Sequence, residues 1–560
     1  MTPRTLIASS VLLTLSAGAV GQVGPENPGP DAPLDPALAP LPRNLTPAEA
    51  AYLRSHPLTL KPAIAAPPPA PLHCAGEYEP MQAIVVSWLG TSAQNTVLAQ
   101  MGAQITTLGN ADYYVVVGSA ATQTSATTAL TSAGANMSRV KFFTRTLDSI
   151  WIRDYGPRYD FEGDCRVIID HTYNRPRPND DAFNQWFGPN RKHGVYDIPL
   201  IHGGGNFHLS ALGDSWATQL IKNENPSLTP AQIIAHWQNY QNVATTITLP
   251  FATALDSTQH IDMWMQVFGD RKVMLSDWPV KTTTDTINAD AICDSIAAQM
   301  AAAPYNYSVY RVPARQVSGV HYTYTNIVAC NDLLLIPSYT NATIVSAGYN
   351  AEALTNWKAA WGDDGVSSRK VVQLACQSLV TSAGVMHCIV QHIPLPRGGV
   401  NPTAHVKYPN GGETLAPAAS ITLRWNTDDD VAVSNVDILL STDGGATFPI
   451  TIASAVTPYT GFDGNRAWTV PDLYSTRCRV KVVARDASGN TGSDISDLNF
   501  TINGSGCPSD FNVDGFVSGE DFDAFVEAFI AGDPGADFDG NNFVNGDDFD
   551  GYVAAFVAGC

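Results

Sequence analysis

Positive charge is scarce in this chain of 560 residues. It has 31 Lys and Arg against 52 Asp and Glu, a formal net charge of −21. That excludes a protein held to nucleic acid by phosphate contacts, because there is no basic surplus to neutralise a backbone. It leaves open a cationic substrate. Charged residues make up only 15% and hydrophobic ones 44%, so most of the chain can bury cores and is not disordered. Beyond the first residues no apolar run approaches the ~20 residues needed to cross a bilayer. There is no phosphate-binding glycine loop, and no Cys/His spacing in the middle of the chain that asks for zinc. At roughly 150 residues per domain, the length suggests three or four domains.

The N-terminus reads as an export signal over residues 1–21. Arg4 precedes an apolar stretch at 6–15 and the small residues Ser16, Ala17, Gly18 and Ala19, the order of a secretory leader. The mature protein is therefore expected outside the cytoplasm, where disulfides are allowed. Nine cysteines is an odd number, so at least one thiol is left over unless it pairs between chains. Residues 22–72 are rich in Pro and Ala and read as a partly extended spacer, with one short helix expected over 47–55.

Three further regions follow. Over 73–398 short apolar strands, expected at 83–88, 113–117, 140–143, 166–169, 273–275 and 333–337, alternate with helices at 230–240 and 291–302. Thr229 is placed as an N-cap with Pro230 at the first helical position. This is an α/β domain. Over 402–502 short β-prone runs are punctuated by Asn410-Gly411-Gly412 and Asp443-Gly444-Gly445, the pattern of an Ig-like β-sandwich.

The region 507–560 repeats itself. Residues 505–560 carry twelve Asp or Glu and no Lys or Arg. Asp510, Asn512, Asp514, Ser518 and Asp521 reappear as Asp537, Asp539, Asn541, Asn545 and Asp548. These fall at loop positions 1, 3, 5, 9 and 12, and Phe516 and Phe543 would offer main-chain oxygens at position 7, the spacing that wraps Ca2+. Gly515 holds the sharp turn of the first loop, and Asn542 replaces it in the second. Apolar-rich runs after each loop suit short flanking helices, giving a small EF-hand-like α-helical module. The region resembles the dockerin-like duplicated calcium modules of secreted bacterial proteins. That resemblance implies a cohesin-like or cell-surface partner. Cys507 and Cys560 bracket the loops, and a disulfide closing so small a core is expected.

Four constellations in the α/β domain carry chemistry. Trp151-Ile152-Arg153-Asp154 sets a guanidinium and a carboxylate just before Gly156-Pro157. His260-Ile261-Asp262 can turn an imidazole and a carboxylate toward one pocket if the segment is extended. Gly203-Gly204-Gly205-Asn206 lets the backbone approach a ligand closely. Met386-His387-Cys388 offers a thiol. Each alone has an ordinary structural explanation. Together they fit one reaction, in which a thiolate attacks a planar cation clamped by two carboxylates beside an acid/base.

These motifs, with Glu77-Tyr78-Glu79-Pro80-Met81-Gln82 and Tyr322-Thr323-Tyr324-Thr325-Asn326, resemble the guanidino-group-modifying family in its agmatine deiminase and bacterial peptidylarginine deiminase branch. The resemblance implies a pseudo-fivefold α/β propeller with the site in its central channel. It implies Cys388 as nucleophile, Asp154 and Asp262 on the guanidinium nitrogens, His260 as general acid and base, Asn326 at the active site and Trp151 on the substrate's aliphatic stem. Gly204 is expected at the substrate. No cofactor is implied for the reaction. Arg175 and Arg177, in the proline-stiffened run Arg175-Pro176-Arg177-Pro178, form a cationic prong suited to a carboxylate. By the same resemblance they would select C-terminal arginine of peptides or free arginine. Competing readings are an agmatine deiminase, a non-catalytic guanidinium-binding surface protein and a cysteine protease. The last lacks a fitting Cys/His/Asn signature.

Overall fold

The computed structural model describes residues 40–61, 66–69, 71–504, 507–512, 516–541 and 543–559. The leader expected over 1–21 lies outside the described residues. Among the described residues no helix is long and apolar enough to cross a membrane.

The α/β region is built from one motif used five times. An antiparallel hairpin is followed by a helix, which returns the chain to a strand parallel to the hairpin's second strand. One copy pairs Arg158–Glu162 with Cys165–Tyr173, and Val195–His202 then lies parallel to the latter. The second uses His208–Leu209, Asp214–Thr218 and Ala244–Thr248. The third uses Met265–Gly269, Lys272–Asp277 and Ser308–Pro313. The fourth uses Val328–Cys330, Leu333–Ser338 and Lys370–Ala375. The fifth joins the two ends of the region: Gln391–Pro394 pairs antiparallel with Met81–Ser87, whose parallel neighbours are Asp112–Val117 and then Val140–Thr144. Parallel pairing demands a long crossover, which is why a helix recurs between the last two strands of each unit. The expected helices are present as Pro230–Gln241 and Thr284–Ala301, each opened by a Thr capping box. Central strands such as Cys165–Tyr173 are buried along their whole length, as expected where both faces are covered.

The repetition places the chemistry. A short turn or loop residue precedes the first strand of every hairpin. Ile152–Tyr155 leads to the strand at Arg158, Gly204–Asn206 to His208, and Ile261–Met263 to Met265. Asn326 precedes Val328, and His387–Ile389 precedes Gln391. The candidate residues scattered from 154 to 388 in sequence thus occupy one topological position in five successive units.

The segment expected as a spacer is not free over residues 40–61. Its helix Pro47–Ser55 forms where the sequence indicated, with Thr46 and Glu49 as a reciprocal cap. The segment docks on the α/β region, burying Leu41, Arg43, Thr46 and Glu49.

Residues 403–503 form two sheets. Thr403–Tyr408, Ser420–Asp428 and Gly464–Thr469 make one, and Val433–Ser441 and Tyr474–Asp486 are central to the other. They share an apolar core around Trp425, Ile438, Val480 and Phe500. This unit is tied to the α/β region by buried charge: Arg166 Nε lies 2.7 Å from Asp428 Oδ2, with both side chains fully buried. In the tail, helices Gly519–Ala531 and Gly546–Ala558 pack through Phe525 and Tyr552, whose rings stack at 3.9 Å.

Candidate active site

The site is built around a guanidinium that belongs to the chain itself. Arg43 has no exposed surface, and all five of its N–H donors have acceptors. Nε donates to Asp154 Oδ2 at 3.0 Å. Nη1 donates to Asp262 Oδ1 at 3.1 Å and to Cys388 Sγ at 2.5 Å. Nη2 reaches Asp154 Oδ1 and Asp262 Oδ2, each at 2.9 Å, and His260 Nδ1 at 2.8 Å. The two carboxylates bind the planar cation bidentately along two of its edges. His260 Nδ1 thus lies against both the cation and Asp154 Oδ1, 3.4 Å away.

Local geometry explains why these groups converge. Asp154 lies on the one-turn helix Ile152–Tyr155. Asp262 lies in a 3-10 turn, Ile261–Met263, for which His260 is the N-cap. The extended segment expected at 260–262 is therefore replaced by a tight turn, and it is this turn that aims both side chains inward. Gly205, rather than Gly204, lines the guanidinium: a Cβ there would overlap Arg43 Nη2, and its N–H donates to Asp154 Oδ1 at 3.1 Å. Gly204 packs on the carbonyl of Arg153, which a Cβ would strike.

Charge follows from this pairing. Burial is the largest influence and pushes both aspartates upward, but Arg43 together with His260, and at Asp262 also His387, outweighs it and holds Asp154 and Asp262 well below the usual carboxylate range. Burial raises the Cys388 thiol well above its ordinary value. Arg43 opposes that rise, while Asp262 and Asp154 add to it. Burial and the two carboxylates thus favour the neutral thiol over the thiolate at Cys388. Asn326 Nδ2 donates to its sulfur at 3.2 Å, and Asn326 Oδ1 accepts from the backbone N–H of His387 at 3.0 Å, so Asn326 fixes the turn that carries the thiol.

A second layer supports the clamp. His387 bridges Asp262 Oδ2, 3.0 Å from its Nδ1, and Glu77 Oε2, 2.9 Å from its Nε2. Glu77 also takes Arg153 Nη1 at 2.6 Å, and Arg153 with the two neighbouring imidazoles outweighs its burial and holds it well below the usual range. Arg153 thus faces away from the guanidinium. Sequence reasoning flagged Glu77 and His387 only as parts of motifs. The i, i+1 pair His387-Cys388 was the one local sign that an imidazole could buttress the site.

Trp151, Arg175 and Arg177 are also at the site, and they meet main chain. Trp151 Nε1 donates to the Leu41 carbonyl at 2.8 Å. Arg175 Nε donates to the Arg43 carbonyl at 3.2 Å. Arg177 Nη2 donates to the Pro42 carbonyl at 2.8 Å, while its Nε holds the Glu49 carboxylate at 2.7 Å. The Arg43 N–H donates to the carbonyl of Ser382 at 3.2 Å. Arg177 is not held by Asp180 or Asp181. Asp180 instead accepts from the Ser149 hydroxyl at 2.7 Å, and Asp181 pairs with Lys61 at 3.1 Å.

Nothing in the sequence around Arg43 signalled its role. Its partners lie between 111 and 345 positions away.

Among the described residues seven cysteines are free thiols: 74, 165, 293, 330, 376, 388 and 478. Cys388 is one of several leftovers, so the odd count did not single it out. Cys507 is disulfide-bonded. Cys560, its expected partner, lies outside the described residues, as do Asp514, Gly515 and Asn542. In the second acidic loop Asp537, Asp539 and Asp548 each bring an oxygen within 4.8 Å of the others. Asn541, Phe543 and Asn545 lie on the same loop. In the first, Asp521 Oδ1 accepts from the Asn512 N–H at 3.0 Å, with Asp510, Phe516 and Ser518 alongside.

Comparison with known proteins adds a family. A protein of Shewanella sp. (strain MR-4), provisionally named an agmatine deiminase, is 25% identical over 292 residues, covering 44% of this chain and 73% of the relative. A similarly named protein of Shewanella frigidimarina is 24% identical over 297 residues, with the same coverage. Among solved structures, one from Porphyromonas gingivalis, provisionally named an arginine deiminase, superposes with a TM-score of 0.50 at 18% identity, covering 58% of this chain and 99% of that one. Another, provisionally named an agmatine deiminase, matches with the same TM-score and identity over 58% of this chain and 96% of its own. These two establish likeness of fold. The model of the Porphyromonas-type peptidyl-arginine deiminases matches residues 73–394, more than half of the chain and the whole span that carries the site, and the chain belongs to that family.

Proposed function

We propose that this enzyme, a hydrolase of guanidino C–N bonds, deiminates arginine held in a peptide, using Cys388 as nucleophile and His260 as acid and base. The observation that carries the reading is the seat of Arg43. A guanidinium contacts two carboxylates, an imidazole and a thiol at once, and four further contacts hold the main chain of residues 41 to 43.

The residues suit each step. Asp154 and Asp262 hold the cation and orient its plane. The thiol proton passes to His260 Nδ1, and Cys388 Sγ bonds to the guanidinium carbon. His260 Nδ1 then returns that proton to the nitrogen it contacts, the Cζ–N bond breaks and ammonia leaves. Water adds to the resulting thiouronium, gives a proton to His260, and the C–S bond breaks. The balance is guanidinium plus water giving ureido group plus ammonium. Asn326 and the Val385 N–H, 3.2 and 3.4 Å from the sulfur, stabilise charge developing on it.

Main-chain contacts favour peptide over agmatine. Trp151, Arg175 and Arg177 donate to three consecutive carbonyls, at residues 41, 43 and 42. Agmatine has no such oxygens and would leave these buried donors unpaired, which costs binding. Arg175 rests on the oxygen that becomes a carboxylate in a peptide ending with arginine, and Arg177 already holds a carboxylate, that of Glu49. Both fit the carboxylate-reading prong. The five units are read as blades of a pseudo-fivefold propeller, residues 403–503 as an Ig-like module, and the whole as exported.

For the tail we propose two Ca2+ sites. Asp537, Asp539, Asn541, Phe543, Asn545 and Asp548 would hold one, and Asp510, Asn512, Asp514, Phe516, Ser518 and Asp521 the other. The converging oxygens of Asp537, Asp539 and Asp548 fit a hard cation, which would cross-link loop and helix. A cohesin-like or cell-surface partner of this module remains the proposal that the sequence resemblance supplied.

The test is ureido-product formation from a peptide ending in arginine, with free arginine and agmatine alongside and Cys388→Ala as control. Peptide turnover that vanishes in the control supports the reading. Turnover of agmatine alone would overturn the substrate assignment, and no product from any of the three would overturn the chemistry.

A further inference from the structure

We infer that Arg43 is a self-modification site: the enzyme deiminates its own Arg43 in cis, and until it does so residues 40–61 close the active site. This rests on the deiminase reading above.

Three observations point there. First, the site is filled. Arg43 saturates Asp154, Asp262, His260 and Cys388, and neither it nor these partners has exposed surface, so no second guanidinium can enter while it is seated. Second, the segment is built to deliver it. Thr46 and Glu49 cap the helix Pro47–Ser55, and the same Glu49 carboxylate pairs with buried Arg177 at 2.7 Å. One residue therefore fixes both the helix start and its anchor, six positions from the arginine. Third, the stretch between Glu49 and Lys61 is only loosely held. A cavity of about 820 Å3, lined by Leu45, Leu53, Leu60, Arg175 and Glu224 among others, runs between it and the α/β region. The hold is concentrated at Arg43, at Glu49 and at Lys61, which pairs with Asp170 and Asp181, and of these only the loss of Arg43 reopens the clamp itself.

The chemistry supplies that loss. Cys388 Sγ bonds to Cζ of Arg43, the Cζ–Nη2 bond breaks with a proton delivered by His260, and ammonia leaves. Water then replaces sulfur on Cζ, leaving citrulline at 43 and the thiol restored. Nη2 is the nitrogen His260 touches, and it is also the one between Asp154 Oδ1 and Asp262 Oδ2, 2.9 Å from each. The new oxygen, in its place, would set lone pairs against two carboxylates with no proton between them. The cation that compensated those charges is gone as well. Citrulline at 43 is therefore expelled, and the emptied clamp is left for an arginine from another chain.

The experiment uses the full-length chain. Peptide mass mapping reads residue 43 in the wild type, in Cys388→Ala, and in Cys388→Ala mixed with a small amount of active wild type. The expected result is citrulline at 43 in the wild type, and arginine at 43 both in the variant and in the mixture, because a seated Arg43 is out of reach of a second molecule. An Arg43→Ala chain is assayed in parallel on a peptide ending in arginine. If that variant turns over peptide while wild-type Arg43 remains arginine, self-modification is overturned and the deiminase reading survives. If Cys388→Ala is converted in the mixture, the restriction to cis is overturned. If Arg43→Ala has no activity and wild-type Arg43 is intact, the deiminase reading itself has failed.

Discussion

Removing Arg43 should open the site to peptide, and the size of the effect can be worked out. The clean background is Cys388→Ala, in which Arg43 stays arginine whatever the wild type does to it. The seated segment competes with peptide as an intramolecular ligand. A tethered ligand acts at an effective concentration on the order of 1 mM. If the tethered arginine binds the clamp like a peptide arginine, with a dissociation constant of about 10 µM, within the usual substrate range, the closed state outweighs the open one about 100-fold. Calorimetric titration with a peptide ending in arginine should therefore show binding tightened about 100-fold in Cys388→Ala/Arg43→Ala over Cys388→Ala alone, close to 2.7 kcal/mol. The contacts are ample for that figure: five N–H donors face two carboxylates, an imidazole and a sulfur, at about 1.5–3 kcal/mol net per charged hydrogen bond. Arg54→Ala, an exposed arginine on the same segment, should leave affinity unchanged. Equal affinity with and without Arg43 would refute the claim that the segment occupies the site in solution.

Other outcomes follow from buried charge. Arg166→Met leaves Asp428 ionised and buried between the α/β region and the following β unit, so unfolding free energy should fall by about 3–5 kcal/mol; a loss below about 1 kcal/mol in denaturant titrations would mean that His193, 3.3 Å from Asp428, replaces it. Burial, then the neighbouring Asp148, pushes Asp180 up to about 8 from an ordinary 3.8. Its contribution to stability is therefore complete below pH 4 and lost as pH rises through 8. Asp180→Asn should flatten the fall in stability between pH 4 and 8, and an unchanged slope would contradict the assignment. Calcium should raise the melting temperature of the full chain's tail transition, and Asp537→Ala/Asp548→Ala should abolish that rise. At 100 times the dissociation constant the stabilisation is about 2.7 kcal/mol, readable by calorimetry with and without chelator.

The sequence by itself was enough for several features. Short apolar runs marked the strands of the α/β region, because its central strands are buried on both faces. The Thr cap at 229 and the proline after it fixed one helix start, since Thr satisfies an orphan N–H locally and proline has none to satisfy. The motifs around Asp154, His260, Asp262, Asn326 and Cys388 were legible because chemistry restricts the residue type at each position. Register among the five units was not legible. It comes from long-range pairing, as when Gln391–Pro394 joins Met81–Ser87, and no local pattern records that. Nor could the sequence show that His260 and Asp262 share a tight turn, that Gly205 and not Gly204 faces the guanidinium, or that Glu77 and His387 brace Asp262. The largest difference is Arg43. In a Pro- and Ala-rich stretch it looks like one more solvated cation. Only the tertiary structure brings two carboxylates from turns 108 residues apart close enough to share a positive charge, and a buried pair of like charges must find one. Composition states which charges exist, and the fold decides which of them meet.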